Sequence, residues 1–293
     1  MRKWCFLITI KQGFDKLKQN LEITDLQESS VSGRQQKVRE AVEGKFHVLD
    51  SFLTGSYRRN TLIAPLSEAD VDIFIVLNSE YFKPDGQIYL LDKMRTALKV
   101  IYPRTPEISR NGQAVTITFT DFKVDVVPAF YRQGGGYLIP DSISRRWIST
   151  DPKEHVKIWS NANKTHNENL VPLIKMIKGW NKVNGQLLRS FHLEALVIDI
   201  LNQVTISDFS SGARYVFDKA KDRVKNPIID PAGYGGHIGS YLDTQKKLDE
   251  VVNRLETAYL QAKTAESLAS EGKIPEAVNN WRLIFGNYFP AYR

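Results

Sequence analysis

The sequence predicts an α/β lobe followed by a helical lobe, on three observations. Short apolar runs rich in β-branched residues (71–77, 115–119 and 124–127) are confined to the first half of the chain. From about residue 150 the apolar positions recur at helical spacing instead. Three aspartates, Asp70, Asp72 and Asp125, sit among the Val, Ile and Phe of the strand-like runs, where a charge is costly to bury without a partner. Residues 1–160 are assigned to the first lobe, with its N-terminal helices, and residues 161–293 to the second. A ligand is expected in the cleft between two such lobes.

Taken in order, Phe14, Leu17 and Leu21 fall on one helical face, and Thr24 with Asp25 marks a break and a new N-cap. A second helix is expected over 25–49, because Val38, Ala41, Val42 and Phe46 share a face. The run 71–77 reads as a buried strand, and 90–101 returns to helical spacing. Runs 115–119 and 124–127 read as a hairpin turning through Thr120, Asp121, Phe122 and Lys123. Amphipathic helices are expected over 170–180, 193–206, 248–262 and 275–285, with a Pro- and Gly-rich loop at 226–239.

Composition narrows the class. The 293 residues are 42% hydrophobic and 25% charged, ordinary for a folded protein in water. Cys5 is the single cysteine, which excludes disulfides and cysteine-rich zinc sites within the chain, and the five histidines lack a ligand spacing. Arg2 and Lys3 before the apolar run 4–10 imitate a signal peptide, but Lys11 closes the run and no small-residue cleavage site follows. No stretch approaches the roughly 20 apolar residues of a membrane span, so the chain reads as cytoplasmic with no membrane partner. The formal charge of +7 favours anionic partners, and nucleoside triphosphates satisfy it as well as a duplex does.

The aspartates carry the chemistry. Residues i and i+2 of a strand share a face, so Asp70 and Asp72 project together while Val71 turns into the core. If the strand holding Asp125 is a neighbour, three carboxylates meet, and they repel strongly unless cations neutralise them. Two Mg²⁺ ions about 4 Å apart, or Mn²⁺ in their place, answer that need. An isolated Asp-x-Asp is more often a strand end paired with arginines, so its company decides. Upstream, Gly55-Ser56 ends the apolar stretch at Phe52 and Leu53, where a small turn can present N–H groups and a hydroxyl to phosphate. Neither a P-loop nor a Gly-x-Gly-x-x-Gly fingerprint is present.

Gly55-Ser56, Asp70-x-Asp72 and Asp125 together resemble the signature of the DNA polymerase β-like nucleotidyltransferase superfamily. Within it, the chain is most similar to the bacterial cGAS/DncV-like nucleotidyltransferases (CD-NTases), which make cyclic oligonucleotide signals in anti-phage defence (CBASS). Gly55-Ser56-Tyr57-Arg58-Arg59-Asn60-Thr61, Phe191-His192-Leu193-Glu194 and Trp281 to Pro290 carry that resemblance. It implies a polymerase β-like lobe with a mixed sheet, a helical lobe, and a Mg²⁺-dependent synthase making a cyclic di- or trinucleotide from NTPs with release of pyrophosphate. It further implies that Asp70 and Asp72 hold both metals, that Asp125 binds the catalytic metal and helps deprotonate the attacking ribose hydroxyl, and that Gly55, Ser56, Lys178 and Ser190 grip the donor triphosphate. Phe191 occupies the place of a base-stacking aromatic; Lys175, one turn before Lys178, competes for its role. A regulatory protein, peptide or RNA trigger fits the group.

Two rivals follow from the same residues. One is an enzyme of this fold with another acceptor, a linear oligoadenylate synthase or an RNA-tailing nucleotidyltransferase. The other is an inactive nucleotide or RNA sensor, which has no need of three clustered anions. Asp121, Asp199, His192 and the glycines of 233–239 read as hairpin, salt-bridge, structural and loop residues respectively.

Overall fold

A computed structural model describes residues 8–105 and 107–292. The apolar run 4–10 falls mostly outside the described residues, and Cys5 wholly so. Helix α1 (Ile10–Leu21) opens on a capping box: Thr9 Oγ1 accepts from the Gln12 N–H while the Gln12 side chain accepts from that of Thr9. Helix α2 (Asp25–Glu43) opens the same way on Thr24 and Gln27. It stops at Glu43, six residues short of the expected end at 49. Gly44 caps it, and the following segment is a strand, β1 (Val48–Thr54).

After the short helix α3 (Gly55–Arg58) come β2 (Asp70–Leu77), α4 (Gln87–Ile101), β3 (Glu107–Asn111), β4 (Ala114–Thr118), β5 (Lys123–Tyr131), β6 (Tyr137–Asp141) and β7 (Arg146–Thr150). Among the described residues these strands form a seven-stranded sheet with the order β1-β2-β5-β4-β3, while β6 pairs with β5 and β7 with β6. The sheet is mixed: β2 and β5 run parallel, and the other pairings are antiparallel. The expected hairpin is the β4–β5 pair, longer than its apolar signal and joined to β6 and β7, which lack one.

Alternation fixes the two faces. Val71, Ile73, Ile75 and Leu77 of β2, with Val124 and Val126 of β5, pack beneath Val38 and Val42 of α2 and Leu91, Met94 and Leu98 of α4. Each such side chain contributes roughly 1.5–3 kcal/mol through burial. The opposite face carries a smaller cluster of Phe74, Val76, Val127, Ala129 and Tyr137, with Phe52 against it. Asp121, expected to be an exposed hairpin residue, is half-buried and accepts from the Arg34 guanidinium at 2.7 Å.

The remaining elements are helical: α5 (Pro152–Thr165), α6 (Leu170–Val183), α7 (Ser190–Ile200), α8 (Phe209–Arg223), α9 (Gln245–Ser270) and α10 (Ile274–Phe285). The chain divides into two compact units. One holds residues 23–158 with Pro231–Gly236; the other holds residues up to Glu22, Trp159–Asp230 and those from His237 onward. Helix α1, assigned from sequence to the first lobe, thus packs with the helical unit. The reason is its apolar face: Phe14 meets Trp281 edge-on at 4.8 Å and Phe289 at 5.3 Å, and Asn20 donates to the Tyr288 carbonyl at 2.8 Å. Helix α6 is buried on every side from Pro172 to Asn181, as the central helix of a bundle is.

Candidate active site

In the sheet unit the site grows from the register of β2 and β5. Asp72 lies opposite Asp125 across the parallel pair, and Asp70 opposite Lys123. Thr54 of β1 pairs with Asp72 on the outer side, and Thr116 of β4 pairs with Asp125. Because Val71, Val124 and Val126 point into the helix-covered core, these polar residues all emerge on the other face. Thr54, Asp72, Asp125 and Thr116 therefore form one continuous row across neighbouring strands, with Phe52, Phe74 and Val127 of the small apolar cluster in the next row.

Burial pushes the Asp125 carboxyl above the usual carboxylate range. The Thr116 hydroxyl, donating to Asp125 Oδ1 at 2.6 Å, pulls it back; the charge of Asp70 pushes it up again and that of Lys123 pulls it down. The two aspartates thus sense each other, as carboxylates sharing one site must. Gly55 completes this end of the site. Its φ of 65° lies in the left-handed region, and a Cβ built on it would overlap the Asp72 carboxylate. Only glycine lets that carboxylate rest against the turn backbone. Ser56 follows as the second residue of α3.

Among the described residues no three His, Cys, Asp or Glu side chains converge closely enough to enclose an ion by themselves. An open set of hard oxygen donors suits a cation that keeps water and substrate phosphates as its other ligands, and Mg²⁺ has that habit. The mutual charge of Asp70 and Asp125 on one face is the observation that fits such an ion.

Lys178, Ser190 and Phe191 belong to the helical unit. Lys178 Nζ donates to Glu194 Oε1 at 2.8 Å, with side chains only 7% and 0% exposed. Trp159 Nε1 donates to the other Glu194 oxygen at 3.0 Å, and the Trp159 ring stacks on Phe191 with centroids 5.5 Å apart. The competing Lys175 is paired with Glu22 at 2.5 Å. Ser190 is the exposed first residue of α7. Just before it, the Arg189 N–H donates to the Tyr241 hydroxyl at 2.9 Å, and that hydroxyl shares a 2.9 Å hydrogen bond with His192 Nδ1. His192 is therefore structural, as expected, and Asp199 forms the expected salt bridge, with Arg223 at 2.6 Å.

Thr116 and Tyr241 are participants that the sequence reading passed over, while Glu194 entered it only within a family segment and Lys123 only as a turn residue. Alternation along 114–118 would have put Thr116 level with Asp125 once the hairpin register was known. Nothing in the sequence marks Tyr241.

Comparison with known proteins bears on this arrangement. The family described as the Second Messenger Oligonucleotide or Dinucleotide Synthetase domain matches residues 8–163. The cyclic AMP-AMP-AMP synthase of Acinetobacter sp. (strain ATCC 27244 / 9458) is 29% identical over 306 residues, spanning 97% of this chain and 86% of that protein. Among solved structures, CdnC of E. coli MS115-1 with ATP superposes with a TM-score of 0.77 at 15% identity, covering 96% of this chain and 99% of that one. The same protein in complex with HORMA-deltaN gives a TM-score of 0.77 at 16% identity, covering 96% and 98%. Among the described residues no helix is long and apolar enough to cross a membrane.

Proposed function

Because the chain belongs to the Second Messenger Oligonucleotide or Dinucleotide Synthetase family, we propose that it is a nucleotidyltransferase joining NTPs into a cyclic oligonucleotide and releasing pyrophosphate. The observation that carries the reading is the row of Asp72 and Asp125, with Asp70 beside it, on one face of two parallel strands next to Gly55. The similarity to a cyclic AMP-AMP-AMP synthase supports ATP as a substrate and a trinucleotide as the product.

Asp70, Asp72 and Asp125 would hold two divalent cations, Mg²⁺ or Mn²⁺. When bound, such ions neutralise the triphosphate and favour the ionised form of the attacking hydroxyl. The acceptor ribose oxygen forms a bond to the α-phosphorus of the donor while the bond to pyrophosphate breaks, and the hydroxyl proton leaves toward Asp125. Thr116 fixes one oxygen of that carboxylate and leaves the other to face the acceptor. Burial raises the affinity of Asp125 for a proton, which suits a base.

Ser56 and Ser190 supply hydroxyls to the donor phosphates. Lys178, held by Glu194, would bring a positive charge to the donor phosphates. Phe191, backed by Trp159, offers a platform for a base. Positioning and charge neutralisation do most of the catalytic work, as in phosphoryl transfer generally. The HORMA complex of CdnC supports a protein partner, and a role in defence against phage rests on the resemblance to the CD-NTases alone.

The test is incubation of the purified chain with labelled NTPs and Mg²⁺, followed by mass spectrometry and phosphatase treatment of the product. A cyclic product has no terminal phosphate to lose, so phosphatase leaves it intact. Asp70→Asn combined with Asp72→Asn is expected to abolish pyrophosphate release without altering the circular dichroism spectrum. Full activity in that double variant would sink the assignment.

A further inference from the structure

Lys123 stands where the carboxylate row would place a liability. On β5 it is two residues before Asp125, so it shares Asp125's face, while Val124 between them enters the helix-covered core. Its register partner on β2 is Asp70, and on β4 it is Thr118. A second polar row, Asp70, Lys123 and Thr118, thus runs beside the row of Asp72, Asp125 and Thr116. Lys123 is exposed, its charge reaches Asp125, and it forms no direct ion pair among the described residues. A lysine at the start of a strand reads in sequence as an ordinary solvated residue. Here the sheet register sets it among the anions that the proposed reaction needs for metal.

We infer that Lys123 is a fixed counter-ion of the carboxylate row, which weakens divalent-cation binding to the nucleotide-free protein and so makes metal uptake depend on the incoming triphosphate. The inference rests on the proposed nucleotidyl transfer at this site. A monovalent positive charge beside three carboxylates offsets part of their field and repels each arriving divalent ion. When a triphosphate arrives, its oxygens engage the ammonium, and the carboxylates regain their full attraction for metal. The protein then spends less time with metal bound and no substrate. A partly exposed charge is screened by water, so the effect is modest: about three- to tenfold in affinity.

The experiment uses the full chain and Mn²⁺ as the probe, with free Mn²⁺ counted by its electron paramagnetic resonance signal. Without nucleotide, Lys123→Gln is expected to bind Mn²⁺ about three- to tenfold more tightly than the wild type. Lys123→Arg, which keeps the charge, is expected to restore wild-type affinity. With a non-hydrolysable ATP analogue present, the gap between Lys123→Gln and wild type closes, and the KM for ATP rises in Lys123→Gln. A purely structural role for Lys123 would move none of these in that pattern. Unchanged or weaker Mn²⁺ binding by a folded Lys123→Gln overturns the inference, provided that Asp70→Asn/Asp72→Asn has lost Mn²⁺ binding. Retained Mn²⁺ binding by that double variant overturns the metal assignment itself, and the role of Lys123 with it.

Discussion

Two residues show how much of this protein turns on single positions. Gly55 is constrained twice, by its φ of 65° and by the Asp72 carboxylate lying where a side chain would go. Gly55→Ala must therefore both strain the turn and move a proposed metal ligand. We expect turnover to fall roughly a hundredfold, the cost of misplacing a reacting group by about 1 Å, with a fall of only a few degrees in Tm. Pyrophosphate release and thermal melts measured on the same preparation check it. His192 tells a different story. It is 1% exposed, and burial, helped by the charges of His237 and Arg223, lowers its pKa from 6.5 to about 4. Its Nδ1 faces the Tyr241 hydroxyl, and its Nε2 has no partner. The folded protein thus keeps His192 neutral while the unfolded chain takes up a proton below pH 6.5. Stability is therefore lost as pH falls from 6.5 toward 4, by an amount on the order of 1–3 kcal/mol. His192→Phe removes this contribution, so its Tm should drop less than that of the wild type between pH 7 and pH 5.

At the scale of elements, the Lys178–Glu194 pair ties α6 to α7 with both charges out of water. Removing one partner leaves the other's buried charge uncompensated, even though Trp159 still donates to Glu194. Lys178→Met alone is expected to cost about 3–5 kcal/mol, whereas Lys178→Met with Glu194→Leu should recover most of it. Urea unfolding followed by circular dichroism separates the two outcomes, and equal loss in both variants would show that the pair is not coupled. The same element shows where the sequence misleads. Helical spacing in 170–180 suggests an amphipathic helix with Lys178 on a polar face, yet α6 is buried all round from Pro172 to Asn181, and Lys175 and Lys178 are accommodated there by pairing. Strand β2 was legible because a parallel strand covered on both faces is a near-continuous apolar run, which the two aspartates interrupt at one end. Strand β1 was not. It is half-buried, carries Asp50 and Ser51, and follows a helix whose apolar rhythm continues to Phe46. Helix α8 hid for a related reason: its Ala213, Val216, Phe217 and Ala220 stripe is narrow and set among charges, although Asp208 caps it by accepting from the Ser211 N–H. Asp70 and Asp72 could be paired from alternation alone, but their relation to Asp125 required the β2–β5 register, which no local pattern encodes.

At the scale of the whole chain, the helical unit is assembled from segments that are far apart in sequence, and α1 is the part with the greatest separation. Phe14 reaches across to Trp281, Phe285 and Phe289, with ring centroids 4.8, 6.1 and 5.3 Å away. Gly13 allows that approach, since a Cβ there would come within 2.6 Å of the Phe289 ring. Glu22 then closes the segment on Lys175. None of these contacts involves the sheet, whose core draws on α2 and α4 instead. Loss of the Phe14 ring should therefore act on one unit. Phe14→Ala is expected to cost about 3–5 kcal/mol, the usual penalty for emptying a buried aromatic site. The cost should appear as faster hydrogen exchange in α6 and α10, while amides of β2 and β5 keep their protection. Uniform loss of protection in both units would instead mean that they unfold as one cooperative body. Such an outcome would make α1 a determinant of the sheet's stability as well.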